Sequence, residues 1–376
     1  MAGIYLHIPF CRQACNYCNF HFSTSLRYKN EFVDALLNEI RLQKENNYLQ
    51  GEAIDTIYFG GGTPSLLTIE ELQRIIQYLK EHFKINPNAE ITLEANPDDV
   101  KDDSLIGWKQ VGINRLSIGI QSLFDEDLQW MNRAHTAAEA KQVIVKARAA
   151  GFENFTVDLI YGTPGLTDER WQQNIDWVVQ QGITHLSCYA LTVEPKTPLD
   201  KLIRTREKAD VDASQQSRQF IQLMNNMEAA GFEHYEISNF AKPGHRSKHN
   251  SSYWHGVPYL GLGPSAHSFN GISRQWNVAN NQRYIQALQE DKIPLEKEEL
   301  TLSQQLNEYI MTSLRLLEGC DLNVVEEKFG ADKKQTILRE VERFLHLKWM
   351  IEQNHALILT REGKLFADRI AGDLFF

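Results

Sequence analysis

The feature that most limits the fold of this chain is a strand–helix alternation repeated through its first half. Short runs rich in β-branched and aromatic residues stand at Ile4–Ile8, Ile54–Phe59, Ile91–Glu94, Arg115–Ile118, Phe155–Ile160 and His185–Leu191. Between them apolar residues recur at helical spacing, as in Phe32, Leu36, Leu37 and Ile40. Thr68 with Glu71, and Thr136 with Glu139, form capping boxes that open two of the helices. The first runs to about Phe83, and Gly151 stops the second. A further helix covers about Asp168–Gln181. Strands separated by helices of this length pair in parallel, because parallel neighbours need a crossover. Six such units are too few for a closed eight-fold barrel. The expected fold is therefore α/β, an open partial (β/α)6 barrel, with its ligand site at the C-terminal ends of the strands.

After Leu191 the alternation stops. A long polar helix is expected over about Ala213–Ala230, followed by a segment, Ile237–Asn277, dense in Gly, Pro, His, Trp and Tyr. From about Gln282 the pattern is helical again. It ends in a small α+β module of winged-helix type, whose apolar positions include Leu306, Ile310, Leu314, Leu317, Val324, Val325, Phe329, Ile337, Val341 and Leu345. Leu357–Thr360 reads as its wing. The expected parts are the barrel at 1–200, a barrel extension at 201–281 and the winged-helix-like domain at 282–376. DNA binding by the last is not expected. Residues 321–376 hold nine Lys/Arg against ten Asp/Glu, and the whole chain carries −10, so no basic face is available for a phosphate backbone. No window approaches the ~20 apolar residues of a membrane helix, and the N-terminus reads as a strand, not a secretory signal. A cytoplasmic location is expected.

Three of the five cysteines fall within eight residues, as Cys11-Arg-Gln-Ala-Cys15-Asn-Tyr-Cys18. An odd count in a chain of this size argues against a disulfide framework and for metal or redox chemistry. Three thiolates on one loop can hold a four-iron cubane and leave one iron open, whereas electron-transfer clusters usually take four cysteines. A zinc site completed by His7 or His21 is the alternative.

C-x3-C-x2-C after a first strand resembles the signature of the radical S-adenosylmethionine (SAM) superfamily. The longer string Tyr5-Leu-His-Ile-Pro-Phe-Cys11 is similar to the branch that contains oxygen-independent coproporphyrinogen III oxidase (HemN) and the haem chaperone HemW. The resemblance implies that Cys11, Cys15 and Cys18 ligate a [4Fe–4S] cluster. It implies that Gly61, Gly62 and Thr63, in Phe59-Gly-Gly-Gly-Thr-Pro64, meet the amino group of SAM. Glu94, Gln121, Arg133 and Asp158 match the family's further SAM-contacting positions, with Tyr5 and Tyr17 flanking the cofactor. Taken singly, each of these residues also has a structural reading, such as a surface ion pair for Arg133. In the family a reduced cluster breaks SAM to generate a radical, which the oxidase uses to decarboxylate porphyrinogen propionates.

Two features set the chain apart from the oxidases. Phe20 stands where they carry a further cysteine, and they carry an N-terminal extension before the first strand, whereas this sequence starts on the strand. A third, His249-Asn250-Ser-Ser-Tyr253-Trp254, fits the H-N-x-x-Y-W motif associated with haem binding in the chaperones. It implies His249 as an axial ligand, with Asn250, Tyr253 and Trp254 beside the macrocycle; His245, His255 and His267 are rivals. A buried, hydrogen-bonded His249 in an aromatic loop is the alternative. Cys188 and Cys320 read as small core residues. The expected function is a haem chaperone with a cluster, SAM and haem as cargo. Its expected partners are an electron donor and haem-accepting respiratory proteins, with transient contact to membrane proteins and none to nucleic acid. The alternative is a coproporphyrinogen oxidase acting on porphyrinogen.

Overall fold

The computed structural model describes residues 1–376. The alternation forms as expected. β1 (Ala2–Ile8) leads to α1 (Lys29–Asn46), and β2 (Ile54–Gly61) to α2 (Ile69–His82). β3 (Ile85–Ala95) leads to α3 (Asp102–Gln110), and β4 (Arg115–Gln121) to α4 (Asp125–Trp130) and α5 (Ala137–Ala149). β5 (Phe155–Tyr161) leads to α6 (Asp168–Gln180), and β6 (His185–Ala190) to α7 (Pro198–Arg204) and α8 (Ala213–Ala229). β1 to β6 pair in parallel in chain order. Both capping boxes are made, with Thr68 and Thr136 each exchanging two hydrogen bonds with the glutamate three residues on.

Alternation along the strands divides the sheet into two faces. On β2, Ile57 and Phe59 are fully buried under the helices. Thr56 and Tyr58 turn the other way, where Thr56 meets His249 and Tyr58 meets Glu94. The helix-covered face carries a core cluster of 57 residues, while the inner face is largely polar. A sheet that buries apolar side chains outward and keeps polar ones inward leaves a lumen suited to a polar ligand.

The sheet does not end with six strands. β7 (Glu233–Glu236) and β8 (Asn239–Ala241) extend it antiparallel beyond β6. The short helix α9 (Lys248–Trp254) follows. β9 (Tyr259–Leu262) then returns beside β1, and β10 (His267–Phe269) and β11 (Ser273–Asn277) continue outward. α10 (Asn281–Gln289) and the edge strand β12 (Leu295–Glu299) complete a 12-stranded sheet with order β12-β11-β10-β9-β1-β2-β3-β4-β5-β6-β8-β7. These added strands are too short to show a period, and Leu-Glu-Lys-Glu-Glu at β12 reads as a solvated face. Its charges suit an open sheet edge.

Glu39 on α1 ties the extension down. Wholly buried, it accepts from the Gly263 N–H (2.8 Å), the Tyr284 hydroxyl (2.5 Å) and the Asn277 amide (2.6 Å).

The C-terminal module holds α11 (Leu302–Ser313), β13 (Cys320–Asp321), α12 (Leu322–Phe329), α13 (Ala331–His346), β14 (Met350–Gln353), β15 (Ala356–Leu359), α14 (Arg361–Lys364) and α15 (Ala367–Asp373). Its three-stranded sheet, β13-β15-β14, and its own core of 16 residues fit the winged-helix-like expectation. Leu317, expected in that core, is 41 % exposed. It belongs to the segment that pairs with β7, where the Ile237 N–H donates to the Arg315 carbonyl and the Leu317 N–H to the Tyr235 carbonyl. The division expected at residue 282 falls within the large sheet's last unit. Tyr284, Ile285 and Leu288 pack into the main core, whereas the second core starts at Leu306. We propose a division near Leu300. No helix is long and apolar enough to cross a membrane.

Candidate functional site

A cavity of about 410 Å³ opens at the C-terminal ends of the parallel strands. Its walls come from the inner face of the strands and from the loops beyond their ends. The loop after β1 brings Cys11, Cys15, Tyr17 and Cys18, and the end of β2 brings Gly61, Gly62 and Thr63. β3 supplies Glu94, β4 Gln121, β5 Asp158, and the turn after α4 supplies Arg133. Eleven residues expected at the site thus line one cavity. Tyr5 does not line it; it lies one layer deeper, its hydroxyl 3.3 Å from His7 Nδ1.

Local packing explains several of these positions. Gly62 has to lack a side chain, since an added Cβ would stand 2.7 Å from the Phe10 carbonyl and 2.8 Å from that of Ile8. Gly61 adopts φ 106°, open in practice only to glycine. Gln121 holds φ 67° without being glycine, a strained conformation of the kind that gathers at functional sites. The Thr63 hydroxyl lies 3.4 Å from the Cys11 sulfur. Arg133 points one guanidinium nitrogen at Cys15 Sγ (3.4 Å) and the other at Asn96 Oδ1 (2.6 Å) and the Gly119 carbonyl (3.0 Å).

The electrostatics favour a ligand carrying both signs. Burial, opposed by the hydrogen bond from the Tyr58 hydroxyl (2.8 Å), pushes the Glu94 carboxyl up to about 7, and the charge of Asp158 adds to the rise. Burial likewise raises Asp158 to about 6, opposed by the Ser187 hydroxyl beside it and by the charge of Arg115. Burial holds the Cys11 and Cys18 thiols up, Cys18 to about 11, so a metal must displace their protons. No three His, Cys, Asp or Glu side chains converge tightly enough to hold a single ion, as zinc requires. A cubane instead meets each thiolate through a different iron. The sulfur-only donor set and the common cavity fit such a cluster.

The other predicted constellation does not converge on the cavity. His249 lies at the opposite, N-terminal end of the barrel. Its Nδ1 is 2.9 Å from the Thr56 hydroxyl, its ring stacks on Tyr58 with centroids 4.9 Å apart, and burial pushes its pKa down to about 3. Tyr253 packs on Tyr259 (5.4 Å), and Trp254 lies under the Arg315 guanidinium (4.8 Å). His249 is thus half-buried and hydrogen-bonded, with Tyr253 and Trp254 packed on other partners.

Sequence reasoning missed Asn96, Tyr58 and Tyr189. Asn96 adjoins Glu94 in the same string and lines the cavity. Tyr58 is placed by the two-residue period that also turns Gly60 inward. Tyr189 lines the cavity from the end of β6, where the C-terminal-end rule could have found it.

The chain matches the radical SAM superfamily model over residues 5–178 and the HemN C-terminal domain model over 300–366. The heme chaperone HemW of Mycobacterium tuberculosis is 33% identical over 99% of this chain and 94% of that protein. HemW of Bacillus subtilis is 33% identical over 99% and 98%. The chain belongs to the HemW family. Within that family, HemW of Synechocystis is 36% identical over 92% of this chain and 85% of its own length. Among solved structures, coproporphyrinogen III oxidase (HemN) from Escherichia coli aligns over all of this chain and 90% of its own, with TM-score 0.86 and 24% identity. That likeness bears on the fold, a radical SAM partial barrel with a HemN-type C-terminal domain.

Proposed function

We propose that this protein is a haem chaperone that binds a [4Fe–4S] cluster and SAM at the strand ends and carries haem to respiratory haem proteins. The observation that carries the cofactor reading is the single cavity lined by Cys11, Cys15 and Cys18 together with Gly61, Gly62, Thr63, Glu94, Gln121, Arg133 and Asp158. The haem reading is supported by the relatives that bear the name heme chaperone.

In this reading the three thiolates hold the cluster and Thr63 supports Cys11. Arg133 neutralises charge at Cys15 and faces the carboxylate of SAM. Glu94 and Asp158 accept from the amino group and the ribose hydroxyls. Tyr17 closes the wall beside them, and Tyr5 backs them from below. The cluster and SAM together supply one-electron chemistry, while the chain orients them and keeps water out. His249, with Asn250, Tyr253 and Trp254, is the proposed haem contact. Reaching it requires α9 to leave its place in the barrel floor. An electron donor and haem-accepting proteins, some of them at the membrane, are the partners, and the cytoplasm is the proposed location.

The test is anaerobic reconstitution with iron and sulfide. The wild type is expected to take up about four irons with a broad visible absorption band, and Cys15→Ala to lose it. Stoichiometric zinc without iron or sulfide would overturn the cofactor reading.

A further inference from the structure

Helix α9 closes the end of the barrel opposite the cavity, and besides the Tyr253–Tyr259 ring pair three sets of contacts hold it there. At its start the Glu90 carboxylate accepts the backbone N–H groups of Lys248 (3.2 Å) and His249 (3.0 Å). Inside the lumen His249 meets Thr56 and stacks on Tyr58. At its end the half-buried Trp254 lies beneath the Arg315 guanidinium, 4.8 Å from its ring centroid.

Arg315 comes from the far side of the seam where β7 pairs with residues 315–317 of the C-terminal module, in the turn after α11. It donates to Glu236 Oε1 through two nitrogens (3.1 and 2.9 Å) and to Asp368 on α15 (3.0 Å). Glu236 is 1 % exposed and cannot swing, because its other oxygen accepts from the Asn239 amide (2.7 Å) and the Ser238 N–H (3.1 Å). Asn239 in turn accepts from the Ser187 hydroxyl (2.7 Å). One cation thus joins the barrel edge, the C-terminal module and the last residue of α9. The attraction of a guanidinium for the face of an indole is sizeable where water is excluded.

We infer that Arg315 is a latch: it holds α9 shut over His249, and its release lets α9 swing out so that a flat aromatic ligand reaches the histidine. The identity of that ligand as haem rests on the function proposed above; the latch itself does not. A seven-residue helix has little stability of its own, so its order depends on these tertiary contacts. Of the three, the Arg315–Trp254 stack crosses to the C-terminal side at the end of α9, while Arg246, two residues before the helix, crosses to Glu318 (2.7 Å) at its start, so movement there reaches the end of α9 through Arg315.

The experiment is amide hydrogen exchange on the reconstituted protein as wild type, Arg315→Met and Trp254→Leu, with hemin association followed by stopped flow in the wild type and Arg315→Met, because Trp254 is itself a proposed haem contact. Trp254→Leu leaves the Arg315–Glu236 pair in place and so separates the latch from the seam. Amides of residues 249–254 are expected to exchange about fivefold faster or more in both variants, with those of Ile237 and Leu317 unchanged in Trp254→Leu. Unchanged exchange across α9 would overturn the latch, as would a loss that appears only when the seam amides also lose protection. Faster exchange with faster hemin association supports latch and ligand together. Faster exchange with unaltered hemin association supports the latch and removes His249 from the haem reading instead.

Discussion

The two lumen carboxylates make SAM binding depend on pH in a direction that the structure fixes. Glu94 titrates near 7 and Asp158 near 6, each raised by burial, and the charge of Asp158 raises Glu94 further. Their protons come off in steps that belong to the pair. SAM brings an ammonium and a sulfonium, so it prefers the ionised carboxylates. Below pH 7 binding must first expel a proton from Glu94. With a folded value near 7, about one Glu94 in ten is ionised at pH 6 and about nine in ten at pH 8, so affinity should fall roughly tenfold between those limits. The assay is anaerobic calorimetry of the reconstituted protein with SAM at pH 6.0, 7.0 and 8.0, with S-adenosylhomocysteine, which lacks the sulfonium, beside it. Glu94→Gln should weaken binding at pH 8 by about tenfold and leave only the shallower dependence of Asp158. An affinity for SAM that stays flat from pH 6 to 8 in the wild type refutes the assignment of Glu94.

Tyr58→Phe removes the hydroxyl that donates to Glu94 at 2.8 Å. It should push the carboxyl higher still, weaken SAM at pH 7 by about three- to tenfold, and move the midpoint of the affinity profile to higher pH; an unshifted midpoint counts against the pairing. Glu39, raised by burial to about 7, is most favourable when protonated. Its contribution is full below its unfolded value near 4.5 and is lost as pH rises through 7, about 3 kcal/mol in all. Urea unfolding of Glu39→Gln should therefore show a flatter dependence on pH between 5 and 8 than the wild type, and equal slopes would disprove it.

Much of the barrel was legible because local signals agreed with the global fold. Thr68 with Glu71 and Thr136 with Glu139 named their helices, and β-branched runs named the six parallel strands. The three cysteines, the glycine turn, Glu94 and Gln121 lie at or just beyond strand ends, where the C-terminal-end rule collects them, and Asp158 lies within β5 on the face turned to the same cavity. What stayed hidden depends on contacts far apart in sequence. β7 to β12 span three to five residues each and exist only by pairing with neighbours. The core position expected for Leu317 failed because that residue was drawn into a pairing with β7 across the seam. His249 shows the limit most clearly. Its motif was plain in the sequence, but its direction was set by Glu90 and Thr56, which lie 159 and 193 residues away.

The most direct test of the haem-chaperone account is a hemin titration of the reconstituted protein, run beside an anaerobic assay with coproporphyrinogen III, SAM and reductant. The account predicts saturable hemin binding near one equivalent, weakened by His249→Ala, and no formation of protoporphyrinogen IX. Robust conversion of coproporphyrinogen without saturable hemin binding would contradict it.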